Sequence, residues 1–260
     1  MKEFNNFFRK RLGISEDITI TFEMLDQILE KTATTFPFEN LCIISNQTKS
    51  ITKGNLLYKI LEKQEGGLCY ELNPLLYFFL LDNGFNVKLI RGDVYNQVTN
   101  SWSNLKGTHV AILLQHKGQV YLIDTGFGGN LPLKPVPLNG QITTSRNGDF
   151  RVKAFKSKFG DYILELKLKD KDENWRRGYA FDSLQPIEDL TELDDIQKII
   201  LEDERSSFNK APLITQLTKD GRVTLTHTSL TQWKGGELYK EQIKPEKFKE
   251  LARKHFGIDD

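Results

Sequence analysis

Chemistry in this sequence centres on Cys69, one of two cysteines among its 260 residues. Cys69 follows the double glycine Gly66-Gly67, where the backbone can turn sharply, and it opens an apolar segment that predicts a helix up to Gly84. Unpaired N–H groups at a helix start carry partial positive charge and stabilise a thiolate. A lone cysteine is more often a small buried apolar residue. The place of Cys69 at a helix start nevertheless suits a nucleophile.

A predicted β-hairpin downstream carries a histidine and an aspartate. Two runs rich in Val, Ile, Leu and Tyr flank a three-residue connection at 116–118 that contains glycine. Folding the runs about this turn predicts His109 opposite Asp124 to within one residue, and opposed residues of antiparallel strands share a face with Cβ atoms ~5 Å apart. The neighbours on that face, Ala111 and Leu122, are apolar. A buried aspartate in that position needs a partner, and His109 can supply one.

Together, Cys69, His109 and Asp124 match the nucleophile, base and orienting carboxylate of a Cys-His-Asp triad. Four blocks around them resemble the arylamine N-acetyltransferases in order and spacing: FPFENL at 36–41, GGLCYELN at 66–73, THVAILL at 108–114 and IDTGFGG at 123–129. The chain length also fits, so the resemblance spans nearly the whole sequence.

An activity is implied by this resemblance: acetyl-CoA-dependent N-acetylation of arylamines and hydrazines. Acetyl-CoA would be the acetyl donor in a ping-pong mechanism through an acetyl-Cys69 thioester. His109, held in one tautomer by Asp124, would take the thiol proton, and the Cys69 amide is the expected donor to the tetrahedral oxyanion.

Further site residues follow from the resemblance. It implies that Phe38 and Phe127 line the acceptor pocket, although Phe38 alone would be interpreted as core. It also implies contacts with coenzyme A for residues that would otherwise be interpreted as a plain turn or a solvated loop: Thr108, Gly126, Gly128, Gly129, Ser206 and Ser207.

One position departs from the family pattern. The family usually has an arginine immediately before the double glycine, whereas this chain has Glu65. In relatives that arginine looks placed to neutralise the glutamate of the FPFENL block, here Glu39. We therefore expect either that Glu39 has another cationic partner or that one carboxyl pKa is raised. We also expect Glu39 and Asn40 to tie their loop to the catalytic helix.

Composition excludes several other classes of protein. The chain has 36 basic and 35 acidic residues, which gives no electrostatic argument for binding nucleic acid or an anionic membrane. The N-terminus lacks a signal peptide's apolar core, and the longest apolar run, Leu75–Leu81, is too short to span a bilayer. We therefore expect a cytoplasmic protein. Cys42 is interpreted as core, and no cysteine-histidine spacing predicts a metal.

Periodicity predicts an α+β protein of three lobes: a helical domain at 1–86 with the nucleophile, an antiparallel β-barrel domain at 87–190 with His109 and Asp124, and an α/β lid at 191–260. The cysteine-protease-like arrangement of the triad follows from the resemblance. Predicted helices lie at 4–12, 21–35, 53–63, 69–84, 191–204 and 245–256. A capping residue at Thr191 is expected to begin the fifth of these helices.

Two other functional classes remain open. A cysteine amidase or peptidase would use the same triad with water as the acceptor, because triad geometry alone does not choose the acceptor. A non-catalytic binding protein with a vestigial site is the third class. Slow hydrolysis of acetyl-Cys69 without an amine would favour transfer, and intact acetyl transfer by Cys69→Ser would favour the third class.

Overall fold

Helices form the first part of the chain in the computed structural model, which describes residues 2–259. Their bounds are α1 Lys2–Leu12, α2 Leu25–Thr35, α3 Leu41–Ile44, α4 Lys53–Leu56 and α5 Cys69–Asp82. A 3-10 turn at Phe22–Met24 precedes α2, and α4 continues as a π-helical segment at Leu57–Glu62. The helices share one apolar core in which the rings of Phe8 and Phe79 stack 4.2 Å apart. The predicted helices at 4–12, 21–35, 53–63 and 69–84 are therefore confirmed in type.

An antiparallel sheet follows, with strands β2 Asn86–Asn96, β3 Ser101–Trp102, β4 His109–His116, β5 Gln119–Ile123, β6 Val136–Pro137, β7 Thr143–Ser145, β8 Gly148–Ser157, β9 Gly160–Leu168 and β10 Arg176–Pro186. The strand order is β6-β5-β4-β2-β10-β9-β8-β7, with β3 paired to β2. Because β6 also packs against β8, the sheet closes almost into a barrel around its own apolar core. The predicted α+β class with a barrel-like sheet is confirmed.

The last part of the chain comprises α6 Glu192–Glu202, β11 Leu213–Thr218, β12 Gly221–Thr226, β13 Ser229–Lys234, β14 Glu237–Gln242 and α7 Phe248–Phe256. Its sheet has the order β1-β11-β12-β13-β14, where β1 is Phe38–Glu39. Within the FPFENL block, Phe38 pairs with Thr215 of β11. The division into three lobes at 86 and 190 remains a prediction.

The predicted cap of α6 is wrong in detail. Thr191 has helical backbone angles and makes no side-chain cap; instead its amide donates to Asp189 Oδ1 at 2.9 Å. The aspartate two residues earlier thus satisfies a free N–H before the helix.

The start of α5 faces the start of β4, because α5 packs across β2 and β4. This packing brings Cys69, the first residue of α5, towards His109, the first residue of β4. None of the helices between residues 2 and 259 is both long enough and apolar enough to cross a membrane.

Candidate active site

Cys69 is held at the first turn of α5 by hydrogen bonds on either side. The amide of Leu68 donates to Glu71 Oε2 at 3.0 Å, and Cys69 Sγ donates to the carbonyl oxygen of Thr108 at 3.4 Å. The Cys69 side chain is buried, with 7% of the residue exposed. Gly126 lies so close that a Cβ there would sit 2.6 Å from Cys69 Cα. The loop after Asp124 therefore packs directly on Cys69.

His109 and Asp124 meet, but not as directly opposed residues. Nε2 of His109 lies 2.8 Å from Asp124 Oδ2, and both side chains are buried. In the hairpin, Ile112 faces Ile123 and Leu113 faces Leu122, so the same register would place Ala111 opposite Asp124. Asp124 therefore lies two residues from the position opposite His109, one residue more than predicted, and the contact forms diagonally just beyond the end of β5.

The turn accounts for one residue of this offset. His116 pairs with Gln119, so the connection has two residues, Lys117 and Gly118, rather than three. Both have positive φ, 48° and 78°. Two-residue hairpins need this conformation, for which Asn-Gly and Asp-Gly are the usual sequences. Lysine in the first position hid the tight turn.

The second ring nitrogen of His109 serves Cys69. Asp124 occupies Nε2, which leaves Nδ1 as the ring nitrogen available to Cys69. Burial alone would lower the pKa of His109, but the charge and hydrogen bond of Asp124, helped by Cys69, raise it to about 10. The imidazolium is thus stable at neutral pH beside the sulfur.

Four donors surround the Asp124 carboxylate. Oδ1 accepts Asn73 Nδ2 at 2.9 Å and the Gly126 amide at 2.8 Å. Oδ2 accepts His109 Nε2 at 2.8 Å and the Tyr179 hydroxyl at 2.9 Å. Such donors stabilise the charged form of a buried carboxylate. Asp124 is therefore fixed in the orientation that holds the histidine ring.

Tyr179 is a site residue that the sequence did not reveal. It lies on β10 beside β2, and its ring packs 4.3 Å from the His109 ring, centroid to centroid. Burial and then the nearby Asp124 carboxylate raise the pKa of the phenol well above its usual value, so the hydroxyl remains a donor. Tyr179 stands 55 residues after Asp124 in a strand of ordinary composition, with no local motif to mark it.

Asn73 is the second residue of this kind. It ends the GGLCYELN block, but the sequence assigned it no role. Its amide nitrogen also donates to the Val110 carbonyl at 2.7 Å, and its amide oxygen accepts the Thr125 backbone N–H at 2.9 Å. Asn73 therefore ties α5 to β4 and to the loop after β5. Its spacing of four residues from Cys69, one helical turn, was the available signal.

Lys59 provides the cation that the sequence pattern lacks. Its Nζ lies 2.6 Å from Glu71 Oε1 and 3.5 Å from Glu39 Oε1. The alternatives expected for Glu39 both apply: it has another cationic partner, and burial raises its pKa although Lys59 opposes the rise. Glu65 is half-buried and approaches the Cys42 thiol.

The residues around Cys69 and His109 enclose a cavity of about 310 Å³. Its apolar wall consists of Phe38, Leu68, Val94, Leu105, Phe127, Ile200 and Phe208. Phe38 and Phe208 meet edge to face, 5.7 Å between centroids, and Phe127 packs 5.0 Å from the His109 ring. Both phenylalanines predicted for the acceptor pocket therefore line this cavity. Phe208 was missed, although it follows the predicted serines directly.

The residues predicted to contact coenzyme A divide into two groups. Thr108, Gly126 and Ser207 line the cavity, as does Arg205. Gly128 and Gly129 belong to the same loop but do not line it; a Cβ at Gly129 would meet the Arg222 side chain at 3.4 Å.

Ser206 does not fit its predicted contact with coenzyme A. The residue has no exposed surface, and its Oγ accepts the amide of Phe208 at 3.3 Å. A serine hydroxyl commonly satisfies a nearby backbone amide in this way. Ser206 therefore shapes the turn before Phe208 rather than facing the cavity.

Two predictions for the FPFENL region are also wrong. Asn40 ties its loop to the C-terminal segment, not to the catalytic helix: Nδ2 donates to the carbonyls of Phe208 and Ala211 at 2.7 and 2.9 Å. Cys42 is half-buried rather than core, and burial raises the pKa of its thiol to about 11. Such a thiol is protonated at neutral pH and a poor nucleophile.

In residues 2–259 no three His, Cys, Asp or Glu side chains are grouped as a metal site.

Comparison with known proteins finds relatives along nearly the whole chain. The N-acetyltransferase family model matches residues 21–259. An uncharacterized acetyltransferase of Bacillus subtilis (strain 168), YvcN, is 40% identical over 257 residues, 98% of each chain. The crystal structure of arylamine N-acetyltransferase C from Bacillus anthracis has a TM-score of 0.94 at 40% identity, with 99% of each chain covered.

A second crystal structure, of the NAT3 arylamine N-acetyltransferase from Bacillus cereus, has a TM-score of 0.94 at 43% identity and covers all of both chains. That structure is described as revealing a unique Cys-His-Glu catalytic triad. In this chain the carboxylate hydrogen-bonded to His109 Nε2 belongs to Asp124.

Proposed function

Because this chain belongs to the arylamine N-acetyltransferase family, we propose that it transfers the acetyl group of acetyl-CoA to arylamines and hydrazines through a thioester on Cys69. The observation that carries this proposal is the buried hydrogen bond between His109 and Asp124, with Cys69 and His109 lining the same aromatic-walled cavity. The assignment of those three residues as catalytic is part of the proposal.

In the first half-reaction, the Cys69 thiolate attacks the acetyl carbonyl carbon of acetyl-CoA. The carbonyl electrons move to oxygen, and collapse of the tetrahedral intermediate breaks the bond to the sulfur of coenzyme A. The His109 imidazolium gives its proton to the departing thiolate. One thioester replaces another, so this step needs little net driving force.

In the second half-reaction, the amine nitrogen attacks the acetyl-Cys69 carbonyl. His109, now neutral, takes the proton that the nitrogen loses, and the sulfur leaves as thiolate beside the regenerated imidazolium. The Cys69 amide lies in the first turn of α5, where no carbonyl of the helix can accept it, so we assign it to the tetrahedral oxyanion.

The cavity walls support an aromatic acceptor. Phe38 and Phe208 present ring edges and faces to one side, and Phe127 lies beside the His109 ring. Flat aromatic amines match such walls through stacking and edge contacts. The proposal includes xenobiotic amines among the acceptors, and Thr108, Gly126 and Ser207 as contacts for the pantetheine arm. It also includes a cytoplasmic location, since the nucleophilic thiol must stay reduced.

Intact-protein mass spectrometry tests this function. After incubation with acetyl-CoA, we expect one added acetyl group in the wild type, none in Cys69→Ala, and one in the matched control Cys42→Ala. An arylamine should then discharge the acetyl group and yield the acetylated amine. If the acetyl group is lost equally fast to water without amine, the protein is a hydrolase and the transferase proposal fails.

A further inference from the structure

A buried lysine supports the nucleophile's helix from the side away from the cavity. The Lys59 side chain, 15% exposed, lies between the side chains of Glu71 and Glu39, which are 9% and 2% exposed. Its position depends on the π-helical segment Leu57–Glu62, in which the Lys63 amide donates to the carbonyl of Tyr58 five residues earlier. Such widened turns often occur at functional sites.

Glu71 connects this cation to Cys69. One carboxylate oxygen, Oε1, binds Lys59 at 2.6 Å, and the other, Oε2, accepts the Leu68 amide at 3.0 Å. Leu68 immediately precedes Cys69. With both oxygens engaged, the Glu71 side chain is fixed where it satisfies a free N–H at the helix start.

Glu39 connects the same cation to the double glycine. Its backbone amide donates to the Gly67 carbonyl at 3.1 Å, and its carboxylate accepts the Leu41 amide. Lys59 therefore joins two glutamates that hold backbone next to Cys69: Glu71 binds the Leu68 amide through its carboxylate, and Glu39 binds the Gly67 carbonyl through its backbone amide.

The groups that face Lys59 are mostly acidic. They are the carboxylates of Glu71 and Glu39 and the thiol of Cys42, while Glu65 adds further negative charge near Glu39. Burial alone would lower the pKa of Lys59, but Glu71 and Glu39 raise it above its usual value, so the amine stays charged. Without that charge, two buried carboxylates would have to take up a proton or move apart.

From this geometry we propose that Lys59 is a positioning residue for acetyl transfer: it holds Glu71 and Glu39 so that the first turn of α5 presents Cys69 to His109. The inference rests on the proposed role of Cys69 as nucleophile. It also explains how the chain accommodates Glu65 before the double glycine.

The test compares Lys59→Met with Lys59→Arg and with the control Lys63→Met. Lys63 comes directly after the π-helical segment, but it is exposed and stacks on Tyr58 instead of binding Glu39 or Glu71. The readouts are the rate of Cys69 alkylation by iodoacetamide between pH 5 and 10, and the rate of acetyl-Cys69 formation. For Lys59→Met we expect about a tenfold loss of both rates at pH 7, as for 1.4 kcal/mol of lost positioning, with the alkylation profile moved to higher pH. Lys59→Arg should retain most of both rates, and Lys63→Met should match the wild type.

The decisive variant moves the positive charge from position 59 to position 65. The Glu65 amide donates to the Lys59 carbonyl at 3.1 Å, so position 65 is adjacent to the cluster. Adding Glu65→Arg to Lys59→Met replaces an acid with a cation beside Glu39. The double variant should be alkylated at least about threefold faster than Lys59→Met, which is half of the tenfold loss on a logarithmic scale. A folded Lys59→Met protein with the wild-type pH profile overturns the proposal, as does a folded double variant with no recovery.

If Lys59→Met does not fold, Glu71→Gln decides the question. The amide oxygen of glutamine can still accept the Leu68 N–H, but it cannot bind Lys59 as an anion. A shifted alkylation profile in Glu71→Gln supports the proposal, and an unchanged profile overturns it. Alkylation needs no acetyl-CoA. A wild-type protein that is alkylated but never acetylated would therefore refute the proposed function while leaving the Lys59 test readable.

Discussion

The hydroxyl of Tyr179 lies 2.9 Å from Asp124 Oδ2, the same oxygen that accepts Nε2 of His109. The phenol therefore competes with the histidine for one oxygen and limits how far the carboxylate can shift towards the ring. Through this contact, strand β10, which lies outside the four sequence blocks around Cys69, His109 and Asp124, contributes a residue to the site.

Removing that hydroxyl gives the first prediction. Tyr179→Phe should slow acetyl-Cys69 formation about tenfold, equivalent to ~1.4 kcal/mol, because a hydrogen bond to a charged group is lost. Single-turnover acetylation followed by mass spectrometry measures the effect. Tyr162→Phe is the control, since Tyr162 lies on the neighbouring strand β9 and packs on Phe181. Equal rates for the two variants would show that the phenol has no part in the reaction.

The Asp124 carboxylate sets the charge of His109 over a defined pH range. In Asp124→Asn, burial is no longer opposed by a carboxylate, so the pKa of His109 should fall from about 10 to 6.5 or below. A raised folded-state pKa adds stability that is complete below the unfolded value and is lost as pH rises through the folded value. The stability advantage of the wild type over Asp124→Asn should therefore be largest near pH 6 and shrink towards pH 10.

Urea unfolding at several pH values measures this stability advantage. In Asp124→Asn, the alkylation of Cys69 at neutral pH should also become slower than in the wild type. Asp17→Asn, at an exposed position, serves as the control and should follow the wild type throughout. A stability advantage of the wild type that is constant between pH 6 and 10 contradicts an ion pair between His109 and Asp124.

Close contact between Gly126 and Cys69 gives a steric prediction. A Cβ at position 126 would lie 2.6 Å from Cys69 Cα and 2.7 Å from Asn73 Nδ2. Gly126→Ala should therefore cost about 1–3 kcal/mol of unfolding free energy. It should also slow acetylation about 100-fold by displacing Cys69. In Gly54→Ala, where nothing lies within 4 Å, stability should be unchanged or improved. Thermal unfolding and single-turnover acetylation separate the two outcomes.

Phe38 allows the acceptor step to be altered separately from the donor step. Phe38→Ala removes one ring of the pair that walls the cavity, so KM for an arylamine should rise about tenfold. The rate of Cys69 acetylation by acetyl-CoA should stay within about twofold. The control is Phe159→Ala, whose ring stacks on Trp102 and does not line the cavity. A change confined to the acetyl-CoA step would place Phe38 in the donor site instead.

How much of the site the sequence predicts depends on how its residues are connected. Cys69, His109 and Asp124 lie in short blocks whose residue types suggest their chemistry, and the fold class follows from periodicity. The hairpin register failed because the Lys117-Gly118 turn has an uncommon first residue. Tyr179 depends on β10 lying beside β2, a long-range pairing that no local pattern encodes. Lys59 depends on a π-helical widening, while the sequence showed only that Glu65 left a cation missing.

The four bonds to Asp124 occupy both of its carboxylate oxygens, because a carboxylate offers about four lone-pair positions and here each faces a donor. Proton transfer in the proposed cycle then involves only the His109 ring, the sulfur and the substrates. The first half-reaction gives the ring proton to coenzyme A, and the second returns a proton from the amine. Turnover as a whole therefore takes up no net proton from the solvent.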